Sequence, residues 1–437
     1  MSRHLPQTST ATGAPQGLAA TAAHILTTND RGGYTVPSAK LYPYQWLWDA
    51  GFIALGWQKC DEARAWQELR SLIKGQWPDG MIPHIVFHAT HSSYMPGPEM
   101  WGVAHTPPTS GITHPPILGT VLRRLYEQAA DKPLADAALR ELFAPILRFN
   151  RWFHRARDPH HTGLVACFHP WETGMDNSPA WDAPLQRVPT DNLRPYTRKD
   201  IGHVDPAQRP HKDDYDRYMS LVFGAADLGH DQTKLYAQTP FKVADLLTNA
   251  ILIRSDRDLL ALAEDVLRDP AAAQELRAAV ASGHRAMNGL WDAAAEFFYS
   301  RDLILQTPID VPTAAGFMPL FAGTATPAQA ETLARQYTAW RERVRYGIPT
   351  IDPRHAAFDA KRYWCGPVWI NLNWMIAQGF ADYGHDRIAA EIRADTVALI
   401  ENGGCAEYFD PTTGTPLGAQ NFSWTAALAL HWQLFTA

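Results

Sequence analysis

Apolar residues recur every three or four positions along much of the chain, a spacing typical of the buried face of a helix. Leu139, Leu142 and Ile146 are one example. Pro145, which lacks an amide hydrogen, is expected to start or kink a turn there. The predicted helices are Pro116–Ala130, Leu134–Arg157, Asp213–Leu228, Val243–Leu252, Leu259–Val266, Ala271–Met287, Pro327–Val344, Pro367–Tyr383, Ile388–Glu401 and Phe422–Leu434.

Long loops rich in Trp, His, Pro, Asp and Gly separate these helices, and strand-like alternation is confined to short runs such as Gly80–Phe87. Loops of this length are uncommon unless they are functional, and here they hold most of the chemically interesting residues. The loops are Asp30–Tyr44, His88–Pro116, Phe168–His211 and Asp302–Gly316.

No linker or block of like charge divides the chain. We therefore expect one all-α domain over residues 17–437, preceded by a disordered segment, residues 1–16, that is rich in Ser, Thr, Pro and Gly. A helix that ends in Gly and precedes a short aromatic hairpin is indicated twice, at Gly163–His169 and at Gly289–Ser300. Such repetition suits helix pairs arranged around a ring.

The composition narrows the class of protein. With 437 residues, 46% of them hydrophobic, the chain can bury a large core. Its formal charge of -6 provides no basic stripe, which argues against a nucleic-acid partner. We expect a cytoplasmic protein, because neither a signal-peptide core nor a run of about 18 apolar residues is found. The 16 tryptophans favour a sugar pocket, although core packing accounts for many of them.

No metal or cofactor site is expected. The four cysteines are scattered and match no zinc-binding spacing. His84, His88 and His91 are close in sequence, but Pro83 and the strand-like residues between them argue against a helix that would bring them together. No Gly-rich phosphate loop or nucleophile elbow occurs.

Two segments place carboxylates among aromatic, Gly and Pro residues. In the first, Glu172, Asp176 and Asp182 are close together, and like charges near aromatic walls raise one pKa, as a general acid requires. In the second, Glu407 precedes a turn and two aromatic residues. Hydrolysis of a sugar acetal needs such a pair, one acid and one base. From spacing alone, Asp176 could be only a turn former, and an isolated Glu such as Glu407 is most often a solvated surface residue.

A third segment, residues 41–52, combines an acid with several aromatic residues. Its rings suit stacking on a sugar, and Asp49 suits hydrogen bonds to sugar hydroxyls. The alternative is a helix amino terminus in which Asp49 lies near the cap and the tryptophans are part of the core.

The run Trp171-Glu172-Thr173-Gly174-Met175-Asp176-Asn177-Ser178-Pro179, followed by Trp181-Asp182, resembles the signature of glycoside hydrolase family 63 and its trehalase-like relatives. Residues 32–37 and 42–52 resemble a compact subgroup, the bacterial mannosylglycerate and glucosylglycerate hydrolases. The resemblance covers nearly the whole chain, including the ending Phe422–Ala426. It implies an (α/α)6 barrel that inverts configuration at an α-glycosidic bond.

The resemblance also implies residue roles. By motif, Asp176 matches the general acid and Glu407 the general base. Arginine suits an acceptor carboxylate such as that of glycerate, because its fork of donors grips two oxygens. The substrate-binding residues implied are Tyr42, Trp46, Trp48 and Asp49 around the sugar, Trp171, Trp364 and Trp369 in the pocket walls, and Arg209, Tyr215 and Gln420 beside the acceptor.

One position departs from the family pattern, since His114 stands where the family segment has Gln. A His can still donate to an acceptor group, and its charge is expected to change near neutral pH. The departure leaves the identity of the aglycone open.

The predicted function is hydrolysis of a small α-glucoside or α-mannoside with an acidic aglycone such as glycerate. Three alternatives stay open: a trehalase or oligosaccharide α-glucosidase, a sugar epimerase or isomerase centred on His84 or His114, and a non-catalytic sugar-binding protein. Neither the choice between glucose and mannose nor the existence of a homo-oligomer follows from the sequence.

Overall fold

The computed structural model describes residues 17–91, 94–191, 193–202 and 205–434. The segment predicted to be disordered, residues 1–16, lies outside the described residues. Within the described ranges, no helix combines the length and apolar character that crossing a membrane requires.

Helices dominate the described chain, and every strand is two residues long. The α-helices are α1 (Leu18–Asn29), α2 (Leu47–Trp57), α3 (Glu62–Ile73), α4 (Pro98–Trp101), α5 (Leu118–Glu127), α6 (Lys132–Trp152), α7 (Asp182–Gln186), α8 (Lys212–Asp227), α9 (Gln232–Gln238), α10 (Leu246–Ala261), α11 (Pro270–Asn288), α12 (Met318–Ala322), α13 (Pro327–Arg341), α14 (Ile370–Asp382), α15 (Asp386–Gly403) and α16 (Ser423–His431). The strands are β1 (Gln45–Trp46), β2 (Ile85–Val86), β3 (Val243–Ala244), β4 (Trp291–Asp292), β5 (Phe297–Phe298), β6 (Arg301–Asp302), β7 (Thr307–Pro308), β8 (Tyr408–Phe409) and β9 (Pro416–Leu417).

Six of these helices form a closed inner ring, in the order α2, α5, α10, α12, α14 and α16, with α16 packed again on α2. A second layer lies outside the ring, with α1 on α16, α3 on α2, α6 on α5, α11 on α10 and α15 on α14. The sixth outer helix is α13, whose Trp340 packs against Phe317 just before α12, with ring centroids 5.1 Å apart. The architecture is the (α/α)6 barrel that the family resemblance implies.

The inner helices are surrounded on all sides, and their sequences reflect it. Every residue of α2 and of α12 is buried. The outer helix α11, by contrast, buries one face that includes Leu276 and Met287. A helix that is apolar all round has no 3.6-residue period, which explains why the pattern of apolar positions does not predict α2.

Two predicted helices are a single helix. Val243–Leu252 and Leu259–Val266 are expected as separate helices, but α10 runs through the gap between them. The polar residues in that gap are buried with partners, since Asn150 Nδ2 donates to Ser255 Oγ at 2.9 Å and to Asp256 Oδ1 at 2.8 Å. Satisfied polar groups can be buried in a continuous helix, and the polarity of a segment alone does not reveal them.

Other local predictions have mixed outcomes. Pro145 lies inside α6 and starts no new helix. Of Gly80–Phe87, only β2 is a strand, and it pairs antiparallel with β1. The hairpin predicted within Gly289–Ser300 is confirmed as the antiparallel pair β4–β5.

One end of the barrel gathers the chemically interesting residues. Trp48 in the first turn of α2, Trp369 immediately before α14 and Trp424 in the first turn of α16 all line one cavity. The amino-terminal ends of these inner helices therefore face the cavity, and the loops that precede them supply its walls.

Candidate active site

The cavity at this end of the barrel contains about 840 Å³ of unfilled space. Every candidate site residue from the sequence except Gln420 lines it. Tyr42 and Glu407, 365 positions apart in the chain, are in direct contact there. The candidate residues that line it are Tyr42, Trp46, Trp48, Asp49, His114, Trp171, Asp176, Arg209, Tyr215, Trp364, Trp369 and Glu407.

The loop of Asp176 follows a short 3₁₀ turn, Pro170–Thr173. Gly174 ends this turn with a φ of 76°, and a Cβ at this position would lie 2.6 Å from the indole ring of Trp48. Tyr218 Oη donates a hydrogen bond of 3.0 Å to the backbone carbonyl of Asp176. Glycine is therefore required for the loop to approach the cavity floor, where the half-buried Asp176 side chain lies.

Glu172, the first acid of the same motif, is engaged in an ion pair. Its oxygens accept hydrogen bonds of 2.7 and 2.6 Å from Arg157, and both side chains are nearly completely buried. The backbone amides of Phe168 and Thr113 donate to the same carboxylate at 2.7 and 3.3 Å. Because Thr113 precedes His114, the ion pair joins the loop of the acid motif to the loop of His114.

The electrostatic environment of Asp176 suits a proton donor. Burial raises the pKa of its carboxyl to about 7, Glu407 adds to the rise, and Arg209 opposes it. A carboxyl with such a pKa keeps its proton up to nearly neutral pH. Asp182, the third acid of the motif, is exposed and does not line the cavity.

Glu407 accepts two hydrogen bonds. The Tyr42 hydroxyl donates to Oε1 at 2.8 Å and the Ala419 amide donates to Oε2 at 2.8 Å. Gly418 allows this approach, because a Cβ there would lie 2.5 Å from Oε2. Burial raises the pKa of Glu407 above its usual value, while Arg209 and the two hydrogen bonds hold it down. The two donors and the nearby cation favour the ionised form of Glu407, which is the form that can take a proton from water.

Asp49, in the first turn of α2, is a third carboxyl of the cavity. Burial raises its pKa well above the usual value, and the charges of Glu407 and Asp176 add to the rise. This environment favours the protonated form of Asp49, and a protonated carboxyl both donates and accepts hydrogen bonds.

Aromatic rings form much of the cavity wall. Trp364 and Trp369 are stacked, with ring centroids 3.7 Å apart and an interplanar angle of 4°. Trp48 packs edge-on against Trp424 at 5.4 Å. These surfaces provide flat apolar faces beside the carboxyl groups, as the C–H faces of a sugar require.

Arg209 is held by three contacts. Its Nη1 donates to the Tyr42 hydroxyl at 3.1 Å, its Nε lies 3.3 Å from Asp200 Oδ2, and its guanidinium lies 4.1 Å from the ring centroid of Tyr363. Tyr215, predicted for the same subsite, lines the same cavity. The arginine thus brings a fixed positive charge to the cavity next to both candidate catalytic groups.

His114 lies in the wall beside Trp48 and His84, with ring centroids 5.7 and 4.7 Å away. Its Nδ1 is buried without a hydrogen-bond partner among the described residues. Burial lowers the pKa of His114 to about 3. The expectation that its charge changes near neutral pH is therefore wrong, because the ring is neutral there.

Gln420 is the one candidate that the structure does not bring to the cavity. Its side chain is exposed. Ala419, the preceding residue, directs its backbone amide to Glu407, and the following Asn421 has a φ of 54°. This loop therefore faces the site with its backbone, and Gln420 lies outside the acceptor side of the pocket.

Several lining residues escape sequence reasoning, among them Tyr363, Asp200 and Tyr94. The Tyr363 hydroxyl lies 3.2 Å from that of Tyr42. The sequence did contain a signal for Tyr363 as a cavity residue, because it begins the aromatic run that also contains Trp364. Asp200 had none, because it lies in a charged stretch that is typical of a solvated loop.

Over the described ranges, no group of three His, Cys, Asp or Glu residues is placed to hold a metal ion. The histidines with suggestive spacing have other partners. His84 Nδ1 lies 2.8 Å from Ser110 Oγ, and His88 Nε2 lies 2.8 Å from Gln45 Oε1.

The (α/α)6 barrel and its aromatic pocket with unlike carboxyls define a glycoside hydrolase. A sequence profile of the mannosylglycerate hydrolase MGH1-like glycoside hydrolase domain matches residues 42–425. The chain belongs to this family, within glycoside hydrolase family 63.

Known relatives match nearly the whole chain. The mannosylglycerate hydrolase of Thermus thermophilus is 52% identical over 414 residues, which are 94% of this chain and 99% of that protein. The glucosylglycerate hydrolase of Mycolicibacterium hassiacum is 35% identical over 443 residues, covering 96% and 98%. A crystal structure of a GH63 mannosylglycerate hydrolase from Thermus thermophilus, in complex with Tris and D-glycerate, is 52% identical in sequence, has a TM-score of 0.93 and covers 95% of this chain and 100% of that one.

Proposed function

We propose that this enzyme hydrolyses the α-glycosidic bond between glucose or mannose and glycerate, with inversion at the anomeric carbon. The names of its relatives support the substrate class, since both mannosylglycerate and glucosylglycerate hydrolases match along the chain. The observation that carries the mechanism is the unlike pair of carboxyls, with Asp176 poised near a pKa of about 7 and Glu407 held by two donors.

In the proposed reaction, Asp176 gives its proton to the glycosidic oxygen as the bond to the anomeric carbon breaks. Glu407 takes a proton from a water molecule that attacks the opposite face of the sugar. The products are a sugar of β configuration and glycerate. The negative charge of Glu407 also favours the positive charge that develops on the sugar ring.

The sugar would lie at the end of the cavity formed by Trp48, Asp49 and Trp46. In its protonated form, which burial favours, the Asp49 carboxyl can donate a hydrogen bond to one sugar hydroxyl and accept one from another. Both glucose and mannose offer such hydroxyls, so the proposal includes either sugar.

The acceptor would lie beside Arg209 and Tyr215. A carboxylate on the aglycone complements the Arg209 guanidinium. A neutral sugar acceptor adds no negative charge, so the buried guanidinium keeps Asp200 as its ionic partner. The solved relative that holds D-glycerate supports the same choice of acceptor. This contrast favours an acidic aglycone over the trehalase-like alternative.

A hydrolysis panel tests the proposal. Purified enzyme is given glucosylglycerate, mannosylglycerate, glucosylglycerol, trehalose and kojibiose, and released sugar is measured. Glucosylglycerate or mannosylglycerate should be the fastest substrate. Hydrolysis of trehalose or kojibiose at an equal or higher rate would overturn the assignment of an acidic aglycone.

Matched variants test the two carboxyls. Asp176→Asn and Glu407→Gln should each lower kcat by about 10²- to 10⁴-fold, the usual contribution of a positioned acid or base. Asp182→Asn, in the same motif but exposed and outside the cavity, should retain kcat. Full activity of Asp176→Asn would show that the acid is elsewhere.

We also infer that residues 17–437 act as a single catalytic domain and that the enzyme works in the cytoplasm. All four cysteines are free, as is usual for cytoplasmic proteins. Limited proteolysis that releases two stable active fragments would contradict the first inference, and recovery of activity from a secreted fraction would contradict the second.

A further inference from the structure

An inverting turnover leaves the catalytic pair in the wrong protonation states. Glu407 has gained a proton from water, and Asp176 has lost one to the leaving group. Before the next turnover, one proton must leave Glu407 and one must reach Asp176. Bulk water can accept the first proton and supply the second, but only when the site is open to solvent.

Two tyrosines connect the pair along one side of the cavity. Tyr42 Oη lies 2.8 Å from Glu407 Oε1 and 3.2 Å from Tyr363 Oη. Tyr363 also acts on Asp176, whose pKa it lowers. The residues that follow the two are hydrogen-bonded to each other, since the Trp364 amide donates to Asn177 Oδ1 at 3.0 Å. The two hydroxyls therefore extend from the base towards the acid along one wall of the cavity.

Tyr363 is held in this position at some conformational cost. Its φ is 39°, a left-handed conformation that bulky residues rarely adopt. The Trp369 indole donates to its backbone carbonyl at 3.0 Å, and the guanidinium of Arg209 covers its ring at 4.1 Å. A strained backbone with fixed contacts on both sides holds the Tyr363 hydroxyl beside that of Tyr42.

We propose that Tyr42 and Tyr363 return the proton from Glu407 to Asp176 after each turnover. This proposal rests on the proposed roles of the two carboxyls. In the product state, Glu407 donates to the Tyr42 oxygen, Tyr42 donates to the Tyr363 oxygen, and Tyr363 donates to the Asp176 carboxylate.

The transfer shifts one proton along each hydrogen bond. Glu407 loses its proton to Tyr42, Tyr42 passes its own to Tyr363, and Tyr363 passes its own to Asp176. No atom or charge is left over, and the resulting state has Tyr42 donating to an ionised Glu407, as the structure shows. Arg209 can donate to the Tyr42 oxygen before and after the transfer, because that oxygen has two lone pairs.

The three shifts are concerted in this scheme. Burial raises the pKa of both tyrosines well above the usual value, so neither hydroxyl is ionised on the way. Proton movement through neutral hydroxyls is then a rearrangement of the chain and needs no charged intermediate.

Tyr363→Phe breaks the chain and leaves the contact between Tyr42 and Glu407 in place. Rapid-quench measurement with glucosylglycerate or mannosylglycerate should show a first turnover close to that of the wild type. Later turnovers should be slower by about tenfold or more, on the scale of a lost proton-transfer group. Small acids and bases such as imidazole should restore the later turnovers of the variant, and they should not accelerate the wild type.

Tyr218→Phe is the matched control, because its hydroxyl contacts the Asp176 loop but lies outside the chain. If Tyr218→Phe lowers the rate of hydrolysis, the first and later turnovers should slow by the same factor. The relay is wrong if Tyr363→Phe slows the first and later turnovers by the same factor, or if it slows neither.

Failure of the relay and failure of the proposed function give different results. Retained configuration of the released sugar would refute the acid and base roles themselves. Inverted product with equal first and later turnovers in Tyr363→Phe would refute the relay alone.

Discussion

Arg209 donates a hydrogen bond of 3.1 Å from Nη1 to the Tyr42 hydroxyl, which itself donates to Glu407 at 2.8 Å. The residue proposed to bind the acceptor carboxylate is therefore connected to the proposed base. Arg209 also lowers the pKa of Asp176 and of Glu407, because its positive charge favours their ionised forms. Binding of an acidic acceptor and tuning of the catalytic pair depend on the same side chain.

Replacement of this arginine should change both properties. Arg209→Gln should raise KM for glucosylglycerate or mannosylglycerate, with a loss in kcat/KM of about 1.5–3 kcal/mol, the range for a hydrogen bond to a charged group. Both limbs of the pH profile should move to higher pH, since the pKa values of both carboxyls rise without the cation. Steady-state kinetics across pH measure both effects.

Arg198→Gln is the matched control for this prediction. Arg198 binds Asp200 at 2.7 Å, as Arg209 does at 3.3 Å, but it does not line the cavity. Its loss should leave both pH limbs in place. Equal shifts in the two variants would show that the loop, and not the charge of Arg209, sets the pKa values.

The wild-type pH profile should be a bell with its alkaline limb near neutral pH. Activity needs Asp176 protonated, so kcat/KM should fall as pH rises through its pKa of about 7. Activity also needs Glu407 ionised, so kcat/KM should fall as pH drops below a pKa that lies above the usual value for Glu. Activity that stays constant well into the alkaline range would contradict Asp176 as the acid.

His114 should act as a neutral group. Its pKa of about 3 lies below the working range, so His114→Gln should leave both pH limbs unchanged. His114→Leu, which removes the polar atoms, should lower kcat/KM by about 1–3 kcal/mol if a substrate group is left unpaired. A pH limb that moves in His114→Gln would mean that His114 itself titrates during the reaction.

The buried ion pair of Arg157 and Glu172 should be important for stability. Glu172→Gln leaves a buried charge unpaired and should lower the free energy of unfolding by about 3–5 kcal/mol. Glu275→Gln breaks the pair with Arg151, whose side chains are 48% and 44% exposed, and should lower it by about 0–1 kcal/mol. Urea denaturation measures the free energy of unfolding of both variants. Equal decreases in the two would contradict a greater contribution of the buried pair to stability.

Much of the site is predictable from local sequence, because its residues fall in short runs of unusual composition. Asp176, Glu407 and the tryptophans near them belong to such runs, and the structure brings these runs together. Contacts between distant residues are not predictable in this way: the bond from Tyr42 to Glu407 spans 365 positions, and Asp200 reaches Arg209 from an ordinary charged loop.

The wrong predictions have local physical causes. The environment of His114 lowers its pKa, because the surrounding rings bury it, and burial is a property of the fold. The Gln420 side chain is exposed and does not line the cavity, in a loop whose next residue, Asn421, has a positive φ. The spacing of apolar residues does not predict α2, because this helix is buried on all sides and has no period; only the alternative interpretation of residues 41–52 included its amino terminus.

The anomeric configuration of the first released sugar decides whether Asp176 and Glu407 act with inversion. Proton NMR is recorded during early hydrolysis of glucosylglycerate or mannosylglycerate, before the free sugar mutarotates. With inversion, the β anomer should form first and the α anomer should grow in later. Initial formation of the α anomer would contradict inversion.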